Sequence, residues 1–101
     1  MDLIVKWSPE AIDDIESIAG YIGKDSEFYA KAVVTHLLSM ANSLSDFPHA
    51  GRMVPELGDE NIRERFVYSY RLIYQIKKVD ILVVAVIHGK RLLESISERF
   101  I

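Results

Sequence analysis

Four side chains in the second half of the chain could bind phosphate or transfer a proton: Arg71, His88, Lys90 and Arg91. A guanidinium binds phosphate through paired donors, and histidine is the side chain that titrates near neutral pH. Chemistry at a phosphate ester needs such groups, because a proton must be removed and negative charge grows on the phosphorane. The same residues near a rigid strand end could instead contact a protein target.

Arg71 and His88 also have structural interpretations. Arg71 could form an ion pair with Glu56 or Glu64 across a loop, a common arrangement on sheets. His88 could pack against the apolar residues of its predicted strand face, which are Leu82, Val84 and Val86. The residue types alone leave both interpretations open.

A second group of charged residues flanks a segment rich in turn-forming residues. Gly51 and Pro55 can shape this loop, because glycine and proline favour turn conformations. We predict that the charged residues form ion pairs that pin the loop to the sheet; they are Arg52, Glu56, Arg63 and Glu64.

Neither a metal site nor another cofactor is expected. The sequence has no cysteine, which excludes disulfides, thiolate zinc sites and iron–sulfur clusters and fits a reducing cytoplasm. His36 falls in a predicted helix and His49 in a loop, and neither belongs to a group of acids and histidines at ligand spacing.

The length and composition predict a single domain over residues 1–101, with half of the residues apolar. The net charge is −3, yet residues 1–50 carry three lysines against eight acids, whereas residues 51–101 carry nine basic residues against seven acids. An anion-facing surface therefore belongs to the second half. The longest apolar run, Ile81 to Ile87, is far shorter than the ~20 residues of a membrane-spanning helix. We expect a cytoplasmic protein that does not contact membranes.

The hydropathy pattern predicts the elements that must position these residues. Ser8 and Ser26 are candidate N-caps of two helices with apolar stripes, and the short turn between the helices makes them a hairpin. Strands are predicted at 3–7, 62–67, 70–77 and 81–88, followed by a short C-terminal helix within residues 92–100. Short gaps between the last three strands require antiparallel pairing. The expected fold is α+β, in the order β-α-α-β-β-β, with the helical hairpin packed on a four-stranded, mainly antiparallel sheet.

Four short motifs occur in a fixed order along this framework: GRMVPE at 51–56, IRE at 62–64, YRLIY at 70–74 and VIHGKR at 86–91. Together with the opening strand and the helical hairpin, they resemble the RelE/ParE superfamily of toxins over nearly the whole chain. The resemblance implies a small cytoplasmic toxin of a type II toxin–antitoxin system. It also implies neutralisation by a co-encoded antitoxin, whose extended or helical tail wraps around the toxin.

The superfamily contains two activities, and the resemblance implies different roles for the same residues. RelE-like members cleave messenger RNA in the ribosome, and Arg71 and Arg91 fall where those toxins keep arginines that contact the scissile phosphate. ParE-like members poison DNA gyrase and are not known as nucleases. The RelE-like pattern places a tyrosine about six residues after the second arginine, where this chain has Ser97.

The missing tyrosine and the acidic net charge favour the ParE-like function. This interpretation predicts no enzymatic activity, inhibition of DNA gyrase or another topoisomerase, and no direct DNA binding by the toxin alone. The target contacts are then Arg71, His88, Lys90 and Arg91. The alternative is a ribosome-dependent mRNA endonuclease in which Arg71 and Arg91 stabilise charge and His88 transfers a proton. An adaptor that has lost its toxicity is a third possibility.

Overall fold

One strand, two helices and a run of strands follow each other along the chain. The computed structural model describes residues 3–91 and 93–100. The elements are β1 (Ile4–Trp7), α1 (Pro9–Gly23), α2 (Glu27–Ser43), β2 (Arg52–Met53), β3 (Ile62–Val67), β4 (Tyr70–Ile76), β5 (Asp80–His88) and a C-terminal 3₁₀ helix (Leu93–Phe100). The predicted α+β class and the helical hairpin are confirmed.

The sheet has five strands in the order β1-β5-β4-β3-β2. β1 is parallel to β5, and the other neighbours are antiparallel, as predicted for β3, β4 and β5. The predicted count of four strands is one too low, because β2 lies inside the segment interpreted as a loop and pairs with β3. Two residues are too few for an alternating pattern to reveal a strand.

Both helices begin at the predicted serine caps. The Ser8 side chain accepts a hydrogen bond from the Ala11 amide at 3.0 Å, and that of Ser26 accepts from the Tyr29 amide at 3.0 Å. Each cap satisfies a backbone donor that the first helical turn leaves without an internal partner. No helix in the described part of the chain has the length and hydropathy needed to span a bilayer.

The central strands β4 and β5 are covered on both faces, which explains the continuous apolar run in β5. On one face the core combines helix and strand residues: Ala11, Ile18, Val33, Leu37, Ala41, Leu44, Val67, Leu72, Tyr74, Ile81, Val83 and Val86. On the other face the β2–β3 segment and the 3₁₀ helix cover a smaller core: Val54, Ile62, Ile73, Ala85, Ile87 and Ile96.

A β-bulge in β5 changes which residues face the helices. Ile73 pairs with Ala85, but the next residue, Tyr74, pairs with Val83, so Val84 is an extra residue in the strand. Because a bulge shifts the alternation of side chains by one, Val83 and Val86 both face the helices. The predicted grouping of His88 with Leu82 and Val84 on one face is therefore wrong.

An ion pair holds the 3₁₀ helix against the bulge. Arg99 donates to both carboxylate oxygens of Asp14, at 2.7 and 3.2 Å, and to the Val84 carbonyl at 3.2 Å. Asp14 also accepts a hydrogen bond from the Val86 amide at 2.9 Å. These contacts join α1, β5 and the C-terminal segment.

Substitution of Arg99 by methionine should loosen the C-terminal segment while leaving the rest of the fold intact. The partly buried bonds to a charged group are worth ~1.5 kcal/mol, so amide exchange in residues 93–100 should accelerate about tenfold. Hydrogen exchange read by mass spectrometry measures this, with Lys78→Met as the control at an exposed site. Unchanged protection of residues 93–100 in the Arg99 variant would contradict the role of the ion pair.

Candidate functional site

The paired ends of β4 and β5 decide where the predicted site residues point. Tyr70 pairs with His88, and Arg71 pairs with Ile87. Because neighbouring residues of a strand point to opposite faces, Arg71 and His88 lie on opposite faces of the sheet. Arg71 faces the side covered by the β2–β3 segment, and His88 faces the helical hairpin. The structure therefore does not bring the two residues together.

The Arg71 guanidinium is enclosed by two carboxylates. Its Nη1 and Nη2 donate to the two oxygens of Glu56 at 3.0 and 3.1 Å, and its Nε donates to Glu64 at 2.9 Å. The side chain is only 7% exposed. The charge of Arg71 is thus matched inside the protein, and an anionic ligand would have to displace Glu56 to reach it.

Glu64 is the centre of the network that attaches β2 and the following loop to the sheet. Its side chain is fully buried and contacts Arg52 Nε and Arg71 Nη2, each at 2.6 Å. Arg63 also holds this segment, but it donates to the backbone carbonyls of Gly51 and Glu60 rather than to a carboxylate. Of the four predicted loop-pinning residues, three form ion pairs, and Arg71 belongs to the same network.

The network changes the acidity of its members. The hydrogen bond from Arg71 is the main cause that lowers the pKa of Glu56 below its ordinary value. Burial by itself would lower the pKa of Arg71, but the hydrogen bonds to Glu56 and Glu64 outweigh burial and raise it. Arg71 therefore stays charged. Acid can weaken its contact with Glu56 only by protonating the Glu56 carboxylate.

The ion pair between Glu56 and Arg71 should make a pH-dependent contribution to stability. Because the pKa of Glu56 is lowered by folding, the contribution is present above the ordinary glutamate pKa of about 4.3 and is lost as pH falls through the lowered value. Glu56 is 45% exposed, so solvent screening limits the contribution to about 1 kcal/mol or less. Urea unfolding should show Glu56→Gln less stable than the wild type at pH 7, and the difference should shrink as the solution is acidified to pH 3.

Glu60→Gln, at an exposed position of the same loop, is the matched control and should show no difference at either pH. A stability loss for Glu56→Gln of the same size at both pH values would mean that the ion pair is not its origin.

His88 and Arg91 line a pocket of about 370 Å³ on the helix side of the sheet. The other lining residues include Tyr21 from α1 and Tyr70 from β4. The rings of Tyr70 and His88 meet edge to face at 6.0 Å. His88 Nδ1 accepts a hydrogen bond from the Lys90 amide at 3.2 Å, which leaves Nε2 as the ring atom available to a partner.

Three of the predicted contact residues therefore lie at one end of the molecule. His88, Lys90 and Arg91 are exposed at the end of β5 and in the turn that follows. Hydrogen bonds from the Gly89 amide to the Ser69 carbonyl and from the Arg91 amide to the His88 carbonyl hold this turn, at 2.8 and 2.9 Å. The side chain of Ser97, the position of the missing tyrosine, and residue Leu92 lie outside what the structure describes.

Sequence reasoning missed the helix-side partners of this surface. Tyr21 is 72% exposed on α1. The prediction of this helix used only its apolar stripe, which does not include Tyr21. The signal in the sequence is an aromatic residue in the last turn of a helix, at a position off the apolar stripe. Among the residues that the structure describes, no three histidines or acids come together as a possible metal site.

Comparisons with known proteins agree on one family. The model of the ParE toxin of the type II toxin–antitoxin system parDE matches residues 5–93. Toxin RelE2 of Caulobacter vibrioides is 30% identical over 89 residues, which cover 87% of this chain and 97% of that protein. The match to this relative and the family model together extend over most of the elements described above.

Solved structures of the same kind share the fold at low sequence identity. A chain of the chromosomal ParDE system of P. aeruginosa aligns with a TM-score of 0.70 and 16% identity, over 85% of this chain and 95% of that one. A mutant of E. coli toxin RelE in the free state aligns with a TM-score of 0.70 and 17% identity over the whole of both chains. The YoeB dimer from Staphylococcus aureus gives a TM-score of 0.60 and 15% identity, over 87% and 98%.

Proposed function

Because the chain belongs to the RelE/ParE superfamily of type II toxins, we propose that it is a ParE-like toxin that inhibits DNA gyrase or another topoisomerase by protein contact. Its contact surface is formed by His88, Lys90 and Arg91, and a cognate antitoxin keeps it silent. Toxin and antitoxin act in the cytoplasm, and the toxin alone does not bind DNA, in keeping with its net charge of −3.

The separation of Arg71 from His88 is the observation that carries this proposal. Ribonuclease chemistry needs cations and proton-transfer groups around a single phosphate. In this chain the two residues lie on opposite sheet faces, and the Arg71 charge is already neutralised by Glu56 and Glu64. A protein-contact mechanism requires no such convergence. It needs only a rigid, exposed surface, which the turn after β5 provides.

The contact surface carries two cationic side chains and a histidine, and so it suits an acidic patch on the target. Complementary charges mainly accelerate association and fix the orientation of the complex. Arg71 then has an indirect role, since it supports the loop and sheet next to the surface without touching the target.

Inhibition of gyrase supercoiling by the purified chain tests the proposal. The toxin should block supercoiling or trap cleaved DNA, and the paired change His88→Ala with Arg91→Ala should weaken inhibition at least tenfold. Lys77→Ala with Lys78→Ala, in the turn between β4 and β5 at the opposite end of these strands, is the control and should inhibit normally. Undisturbed supercoiling at molar excess of toxin would refute the proposal.

A RelE-like nuclease is the second candidate, and the 30% identity to a protein named Toxin RelE2 favours it. In that case Arg71 and Arg91 would stabilise charge, His88 would transfer a proton, and Glu56 would have to release Arg71. Codon-spaced cuts in translated message, abolished by Arg71→Ala or His88→Gln, would establish this activity. Intact message during growth arrest would exclude it.

Type II toxins pair with a cognate antitoxin, and we propose that this chain does so through an apolar face. Phe28 on α2 is 86% exposed and lines a pocket on that helix, which fits a surface that a partner covers. A complex of this kind should bury on the order of 1,000 Å² or more. Co-expression with the protein encoded by the adjacent reading frame should yield a soluble complex and restore growth.

A further inference from the structure

A cup lined by four tyrosines lies where the helical hairpin meets the turn between β3 and β4. Its volume is about 330 Å³, and its lining includes Tyr21, Tyr29, Tyr68 and Tyr70. Asp25 and His88 also line it. The cup adjoins the pocket of His88 and Arg91, and the two share Tyr21, Tyr70 and His88.

Four separate elements bring the rings together. Tyr21 comes from the last turns of α1, Tyr29 from the first turn of α2, and Tyr70 from the start of β4. Tyr68 lies in the β3–β4 turn with φ of +55°, in the left-handed region that a bulky residue seldom adopts. Such backbone strain persists only where the surroundings hold it in place.

Ring contacts hold Tyr68 in this conformation. Its ring meets that of Tyr29 edge to face at 6.1 Å and that of His36 at 5.3 Å. Tyr21, Tyr29 and Tyr68 are nonetheless 72%, 47% and 54% exposed, so much of their surface remains open to a partner. Burial raises the pKa of Tyr70, and the nearby phenols of Tyr21 and Tyr29 raise it further.

We propose that this cup binds the guanidinium of an arginine side chain presented by a partner protein. Aromatic faces attract a cation through their quadrupoles, and several rings around one space form a cage for it. Asp25 adds a carboxylate, and within the described residues Asp25 forms no salt bridge that would occupy it. Arginine suits the cup better than lysine, because its planar group stacks on rings and donates two parallel hydrogen bonds to a carboxylate.

The charges around the cup agree with this occupant. Asp25 is the acid among its lining residues, His88 is shared with the adjoining pocket, and Arg91 lines only that pocket. An acidic or purely apolar side chain would gain nothing from Asp25. The inference does not depend on whether the toxin acts on gyrase or on the ribosome.

Short peptides test the proposal on the purified chain. A hexapeptide with one arginine among glycine and serine residues should bind with a Kd on the order of a millimolar and shift the amide signals of Ser26, Tyr68 and Ser69 in NMR spectra. The same peptide with citrulline, which has the shape of arginine but no charge, should bind at least about fivefold more weakly. The lysine peptide should fall between the two.

Variants of the cup residues test whether the peptide binds in the cup or elsewhere on the chain. Tyr29→Leu and Asp25→Asn should each weaken binding of the arginine peptide about threefold to fivefold, whereas Tyr29→Phe, which keeps the aromatic face, should bind almost normally. Phe47→Leu replaces an exposed aromatic residue that does not line the cup and should have no effect. Equal binding of arginine and citrulline peptides, or shifts confined to residues outside the cup, would overturn the proposal.

Discussion

Replacement of Glu64 by alanine should destabilise the protein by about 3 kcal/mol, because it leaves the buried Arg71 with a single, half-exposed partner. The Glu64 side chain has no exposed surface and contacts both Arg52 and Arg71, so its removal also breaks the side-chain link between β2 and β3. For a chain of this length the loss corresponds to a fall in Tm of ~15 °C. Thermal and urea unfolding of the variant measure it.

Two further variants make the result specific to the ion pair. Glu60→Ala removes an exposed acid from the same region and should change stability by less than about 0.5 kcal/mol. The double variant Glu64→Leu with Arg71→Met removes both buried charges and should recover much of the loss, since apolar residues of similar size often replace a buried pair without penalty. A double variant as unstable as Glu64→Ala would contradict this explanation.

The same double variant also distinguishes the two candidate functions. If Arg71 only supports the fold, a refolded double variant should still inhibit gyrase. If Arg71 contacts a phosphate, the variant should lose mRNA cleavage whatever its stability. Measurements of stability thus test the structural role of Arg71, and measurements of activity test its role as a phosphate contact. The sequence alone leaves both roles open.

Local sequence signals predicted the helices and the central strands well. Ser8 and Ser26 identify the helix starts because capping depends on the serine and the three residues after it. The apolar run in β5 identifies a strand covered on both faces. The bulge at Val84 could not be predicted in the same way. A run without polar residues has no alternating pattern that would indicate which side chains point to which face.

Sequence reasoning proposed residues for the candidate site but not their geometry. Alternation already places Tyr70 and Arg71 on opposite faces, but the register that pairs Tyr70 with His88 depends on the bulge and the turn between the strands. The tyrosine cup was still less accessible to sequence reasoning, since its rings come from four elements. Tyr70 and Tyr74 lie on the same sheet face, but Tyr68 lies in the turn and Tyr74 is buried in the core, so strand alternation does not identify the cup.

Gly51→Ala should lower the free energy of unfolding by about 3 kcal/mol, although the change adds only one methyl group. A Cβ at this position would lie 2.6 Å from the Glu64 carbonyl oxygen and 2.7 Å from the Tyr74 hydroxyl, closer than such contacts occur in proteins. The glycine amide donates to the Tyr74 oxygen at 2.9 Å, and that hydroxyl donates to the Pro48 carbonyl at 2.6 Å. The methyl group must therefore cause steric strain and break a buried hydrogen-bond chain.

Gly20→Ala is the matched control, because it makes the same chemical change where there is room for it. Gly20 lies within α1, and nothing is within 4 Å of its added Cβ, so the change should stabilise the protein by ~0.5–1 kcal/mol through helix propensity. Urea unfolding should place the two variants on opposite sides of the wild type. If Gly51→Ala were as stable as the wild type, the loop could move away from Tyr74. The close packing of Gly51 against β3 and Tyr74 would then not be required for the fold.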